Sequence, residues 1–175
     1  MQYAGATATT WSVTNMGPVS LGPGQYYLVQ ESSGGASGAN LPTADATGAI
    51  AMAATAGKVA LVNTTTALSG ACSSNYSVID LVGYGTSANC FKGSGPAGAP
   101  SNTMSILRKN GGCLDTQNNL NDFVAGAPNP RNTSFTTNPC GEPIPPAAIW
   151  KEYYNHWREL LALMFAGTSL AHRNT

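Results

Sequence analysis

Residues 113–123 read CLDTQNNLNDF. Asp115, Asn118, Asn119 and Asp122 bring four oxygen-bearing side chains into one short loop, and clustered carboxylate and amide oxygens are the hard donors that calcium takes. No EF-hand can be written over the loop, because its central Gly and closing Glu are absent. Asn and Asp also bond their own backbone in turns, so a set of turn caps is the other reading of the same residues. Calcium is the one cofactor these residue types imply.

Hydrolytic chemistry needs a nucleophile, a base within hydrogen-bond reach and a group to orient it. The chain has two histidines, His156 and His172, and residues 1–140 contain neither. The acids of that long segment are Glu31, Asp45, Asp80, Asp115 and Asp122. GxSxG does not occur, and GYGTS and AGTSL only approach it. Histidine-dependent catalysis would therefore draw on a pair such as His156 with Asp80, in a small ester or phosphoester hydrolase. Nothing in the spacing favours that pair over a surface histidine beside Trp157. Asp80 interrupts the apolar run SVIDLVGYG, where a solvated or turn-bridging role is expected and pairing with Arg108 is the alternative. Tyr26, Tyr27 and Tyr84 suit either a sugar-stacking platform or cross-strand core packing. The loop GSGPAGAPSNT is too irregular to cradle a phosphate.

The elements that must position these residues are short strands. TTWSVTN, QYYLVQES, AIAMA, KVALVNTT, VIDLVGYG, SILRKN and DFVAGAPNPRN are separated by Gly, Pro and Asn turns. That spacing predicts an antiparallel all-β sandwich or barrel, with AIAMA and KVALVNTT as a hairpin across ATAGK and no helix before about residue 140. Only 9% of residues are charged and the formal net charge is zero, so no basic stripe is present for nucleic acid. Four cysteines fall into two sequential pairs, Cys72 with Cys90 and Cys113 with Cys140, and neither histidine is near one. Two disulfides are expected, each stabilising by about 3 kcal/mol on a loop-entropy basis. Disulfides imply a secreted protein. The N-terminus MQYAGATATT has neither a basic region nor an apolar core, so a signal peptide is expected to be missing from this chain. No apolar run is long enough to span a bilayer, the longest being LLALMFAG.

After Cys140 the composition changes. Pro145 and Pro146 precede Ile149, Tyr153, Trp157, Leu160, Leu161 and Met164, which share one helical stripe, and Gly167 suits a stop. An amphipathic helix is expected from about 147 to 166, inside a second segment, 141–175, made of a Pro-rich linker and that helix.

The blocks TTWSVTN, LGPGQYYLVQESSGG, LPTADATGAIAMAATAGKVALVNTTTALSGAC and VIDLVGYGTSANCFKGSGPAGAPSNTMSILRKNGGCLDTQNNLNDFVAGAPNPRN resemble the bacterial lamin-tail domain over residues 1 to about 140. The resemblance implies an immunoglobulin-like β-sandwich, used as an accessory module beside hydrolases in secreted proteins, and it names no catalytic residue. Related sequences often read DTDNN where this chain has DTQNN, so Gln117 lowers the charge of the candidate calcium loop. Such domains carry strands before the point matching MQYAGA. Their lack here predicts an open sheet edge and an uncovered apolar face. The helix, unmatched in the family, is expected either to cover that face, at a gain on the order of 10 kcal/mol before entropy, or to drive self-association through it. An accidental tail is the third reading. The functional expectation is a non-catalytic secreted module that binds a protein, polymer or polysaccharide surface, with the small hydrolase as the alternative.

Overall fold

In the computed structural model, the described residues are 1–33, 39–73 and 77–141. The strands are β1 (Gln2–Gly5), β2 (Ser12–Val13), β3 (Val29–Gln30), β4 (Ala46–Thr47), β5 (Gly57–Val62), β6 (Val78–Tyr84), β7 (Ser105–Arg108) and β8 (Phe123–Gly126). A single helical turn, α1 (Asn119–Asp122), precedes β8, and a 3-10 turn spans Asn110–Gly112. The domain is thus β-rich. The chain divides into two units, Met1–Cys140 and Gly141–Thr175. The helix expected over 147–166 falls outside the described residues.

β5 explains how the larger sheet forms. GKVALV alternates, and in a strand alternate side chains face opposite sides. Ala60 and Val62 join Ala4, Trp11, Leu68, Leu81 and Cys90 in one buried cluster. On the other face Val59 packs with Val82, Ile50, Ile106 and Phe123 against buried Tyr3, Tyr84 and Ala97. The sheet is antiparallel in the order β2-β1-β5-β6. β7 and β8 make an antiparallel pair, and β3 and β4 a short parallel one.

The hairpin expected between AIAMA and KVALVNTT does not form. Residues 49–53 carry no strand, and β5 pairs with β1 and β6 instead. Alanine is a poor strand former, and here side chains satisfy the backbone. Ala53 N–H donates to the Tyr3 hydroxyl at 2.8 Å, and its carbonyl accepts from the Tyr84 hydroxyl at 2.8 Å. Gly57 makes room for both rings, since a Cβ there would lie 2.6 Å from the Tyr84 oxygen.

Two irregularities shape the rest. Leu61 pairs with Asp80 but Val62 with Val78, so Ile79 is an extra residue in a β-bulge and stands 60% exposed. On the outer edge of β6, the Asn119 side chain takes the place of a neighbouring strand. Its Oδ1 accepts from Gly83 N–H at 2.9 Å and Lys92 N–H at 3.1 Å, and its Nδ2 donates to the Leu81 carbonyl at 3.2 Å. Unpaired edge groups invite association with other chains, and this amide covers two of them.

Candidate functional site

The acidic loop is built as a knot of caps. Asp122 is buried, and its carboxylate accepts from Thr116 N–H at 3.0 Å, the Thr116 hydroxyl at 2.6 Å and Asn118 N–H at 3.1 Å, with Arg108 at 3.9 Å. Burial pushes this carboxyl up, but the Thr116 and Asn118 donors and the Arg108 charge outweigh it and hold it below the ordinary range. Asp115 Oδ1 accepts from Gln117 N–H and its side-chain amide at 3.1 and 3.0 Å. Asn118 exchanges bonds with Ser94, and Asn119 is turned inward to β6. Calcium needs six to eight free oxygen ligands. The oxygens of Asn119 and Asp122 are taken up by protein N–H and O–H groups, and the Arg108 guanidinium lies beside both acids of the loop. As placed, the four residues fit a capped turn rather than a calcium ion. Among the described residues no group of three His, Cys, Asp or Glu is disposed to hold a metal.

Asp80 bridges two cations, with Oδ1 at 2.6 Å from Lys92 and Oδ2 at 2.8 Å from Arg108, and Oδ1 also accepts from Leu81 N–H at 2.8 Å. The ion-paired alternative therefore replaces the solvated carboxylate expected from sequence. Arg108 is fixed further by the Leu114 carbonyl at 3.0 Å and by the Phe123 ring, 4.5 Å below the guanidinium. The other half of the expected catalytic pair, His156, lies outside the described residues, as does His172.

The three tyrosines do not form one platform. Tyr84 is buried with Tyr3, where burial and the Tyr3 hydroxyl raise its phenol well above the ordinary value. Tyr26 and Tyr27 belong instead to a groove of about 690 Å³. Its floor is Val59 and Leu61 of β5 and the bulged Ile79, and its walls are Val19, Leu21, Tyr26, Tyr27 and Val29. Leu21, Leu61 and Val19 remain 45%, 41% and 39% exposed, so a contiguous apolar surface is open to solvent. Among the described lining residues the only formal charge is the Met1 amino group, whose pKa is lowered by burial.

The tyrosine wall is preorganised. Arg131 stacks over Tyr26 with its guanidinium carbon 4.0 Å from the ring centre and donates to the Tyr26 hydroxyl at 2.7 Å. Phe135 meets the same ring edge-on at 6.0 Å between centroids. Tyr27 donates to the Met16 carbonyl at 3.3 Å. Beneath them, the Asp45 carboxylate accepts from Leu28 N–H at 2.7 Å and from the Thr133 hydroxyl at 2.5 Å, and these bonds lower its pKa. A single carboxylate thus ties the chain around Tyr27 to the segment that carries Arg131.

Both expected disulfides form, Cys72–Cys90 and Cys113–Cys140, which fits an oxidising compartment. Among the described residues no helix is long and apolar enough to cross a membrane. Sequence reasoning overlooked Leu61, Ile79, Val19 and Leu21 as a surface, and did not single out Lys58, which is fully buried. No family model, no curated protein and no solved structure matches the chain.

Proposed function

We propose that residues 1–140 form a non-catalytic extracellular binding module, an immunoglobulin-like sandwich of lamin-tail type, whose contact face is the apolar groove over β5 and the Ile79 bulge. The observation that carries this reading is a contiguous, nearly uncharged apolar surface with a rigid aromatic wall. Exposed apolar surfaces of this kind mark sites of interaction, and rigid aromatic anchors supply contact area at low entropic cost. The occupant is a polypeptide segment presenting apolar side chains. A polysaccharide would require open ring faces and many polar partners, whereas the Tyr26 ring is already stacked by Arg131 and the floor is aliphatic. The hydrolase alternative has no observation in its favour, since both Asp80 oxygens are held by Lys92 and Arg108.

The test is selection of phage-displayed random peptides on the full chain, followed by binding of the selected peptides to Ile79→Lys and Leu61→Lys variants. Apolar peptides whose affinity falls at least about tenfold in both variants, each folded as wild type, support the module. Peptides indifferent to both substitutions overturn the groove as the contact face. Turnover of a simple ester or phosphoester that disappears in His156→Ala overturns the non-catalytic reading.

A further inference from the structure

Lys58 is the second residue of β5 and has no exposed surface, yet none of the ion pairs among the described residues includes it. Its ammonium donates to three neutral oxygens, the Ala8 and Ala71 carbonyls at 2.7 Å each and Asn89 Oδ1 at 2.8 Å, while the Trp11 ring centre lies 5.4 Å away. A buried ammonium is tolerable only while its hydrogen bonds are made. Two of the three acceptors immediately precede cysteines in the chain, Ala71 before Cys72 and Asn89 before Cys90. The disulfide that joins those cysteines therefore also clamps the two acceptors around the ammonium. The clamped segment is tied to the sheet at further points, with Trp11 Nε1 donating to the Gly70 carbonyl at 3.0 Å and Gly70 N–H to the Thr9 carbonyl at 2.8 Å. Cys90 is buried in the core, whereas Cys72 is exposed.

We propose that the Cys72–Cys90 disulfide and Lys58 form one redox-sensitive latch, in which reduction of the disulfide opens the corner beside Trp11 and delivers the Lys58 amine to solvent. The reductant is an external thiol. Its thiolate attacks the exposed Cys72 sulfur, and Cys90 leaves as a thiolate and takes up a proton. A second thiol then resolves the mixed disulfide, so two electrons enter the protein and one small-molecule disulfide is released. Without the crosslink the Ala71 and Asn89 segments are free to part. An ammonium that loses a bond in the interior is unfavourable enough to drive the side chain outward. The coupling is reciprocal, because whatever the intact disulfide does for the cage the cage does for the disulfide.

The experiment uses the full chain. An N-hydroxysuccinimide acetyl ester is applied at fixed pH, and the labelling rates of Lys58 and of Lys109 as internal reference are read by peptide mass spectrometry. Wild type is compared with Cys72→Ser/Cys90→Ser, which keeps Cys113–Cys140. The latch predicts a rise in the Lys58 rate, relative to Lys109, of at least about tenfold in the variant, with the far-ultraviolet sheet spectrum retained, as for a local opening. Continued protection of Lys58 overturns it. Loss of the sheet spectrum also overturns it, since the disulfide would then hold the whole domain rather than one corner. A second measurement reads the opposite direction. In Lys58→Met, dithiothreitol should reduce Cys72–Cys90 several-fold faster than in wild type, and equal rates refute the coupling.

Discussion

Replacing Asn119 with Ala deletes three hydrogen bonds at the edge of β6 and leaves Gly83 N–H and the Leu81 carbonyl without their partner. The side chain is 1% exposed, so water cannot reach the site without displacing α1. A buried group left unsatisfied costs about 1–3 kcal/mol, so these two groups bring the total to roughly 2–6 kcal/mol. For a domain of this size that corresponds to a fall in Tm of about 10 °C. The assay is thermal unfolding followed by circular dichroism, with Asn121→Ala as the control. Asn121 is exposed, and its truncation should cost no more than about 0.5 kcal/mol. The unpaired edge should also make Asn119→Ala aggregate earlier on heating than wild type. A melting point for Asn119→Ala within about 3 °C of the control would refute the claim that this amide substitutes for a strand.

The Asp45 and Asp122 carboxyls are both held below their ordinary value of 3.8, so their contribution is complete above that pH and is lost as the pH falls through their folded-state values. Acid unfolding monitored by circular dichroism should therefore steepen below about pH 4, and Asp45→Asn should flatten it. Burial lowers the Lys58 pKa from 10.5, so between its folded-state value and 10.5 the unfolded chain binds more protons and stability rises with pH. Lys58→Met should abolish that alkaline rise in a urea titration series. Adding millimolar calcium should leave the melting point unchanged within about 1 °C, since among the described residues no acidic group is disposed to couple metal binding to folding. A shift of several degrees would restore Asp115 and Asp122 as metal ligands. A chain ending at Gly141 should fold with both disulfides formed, as disulfide mapping would show.

Strand identity was legible wherever alternation and β-branching agreed. KVALV and VIDLVGY became β5 and β6, burying Ala60 and Val62 of the one and Leu81 and Tyr84 of the other. The disulfides were legible because each pair is sequential, with no metal-ligand spacing to compete. AIAMA misled because its apolar character was taken for a ladder, whereas Tyr3 and Tyr84, distant in sequence, supply its hydrogen bonds. Lys58 was illegible for a similar reason. A lysine in an alternating strand reads as a solvent position, and its three carbonyl partners come from loops about 50, 13 and 31 residues away. The groove draws on the Val19–Val29 loop, β5 and the bulge, and nothing local announces that Ile79 is the extra residue. In the acid loop the hydrogen bonds favour the turn-capping version, a choice composition could not make, because it cannot tell an oxygen that awaits a metal from one that already accepts an N–H.

The attachment of Ala53 through two phenol tips has an evolutionary consequence. A ladder imposes a parity on every residue it includes, so one inserted residue turns the whole segment inside out. Residues 49–53 are exempt from that parity, for they are held at Ile50 by Ser32 N–H and the Glu31 carboxylate and at Ala53 by the phenols of Tyr3 and Tyr84, with no ladder between. An insertion between Ile50 and Ala53 should therefore leave the sheet's register untouched. That stretch is where the chain can change length and acquire new surface without rebuilding the core.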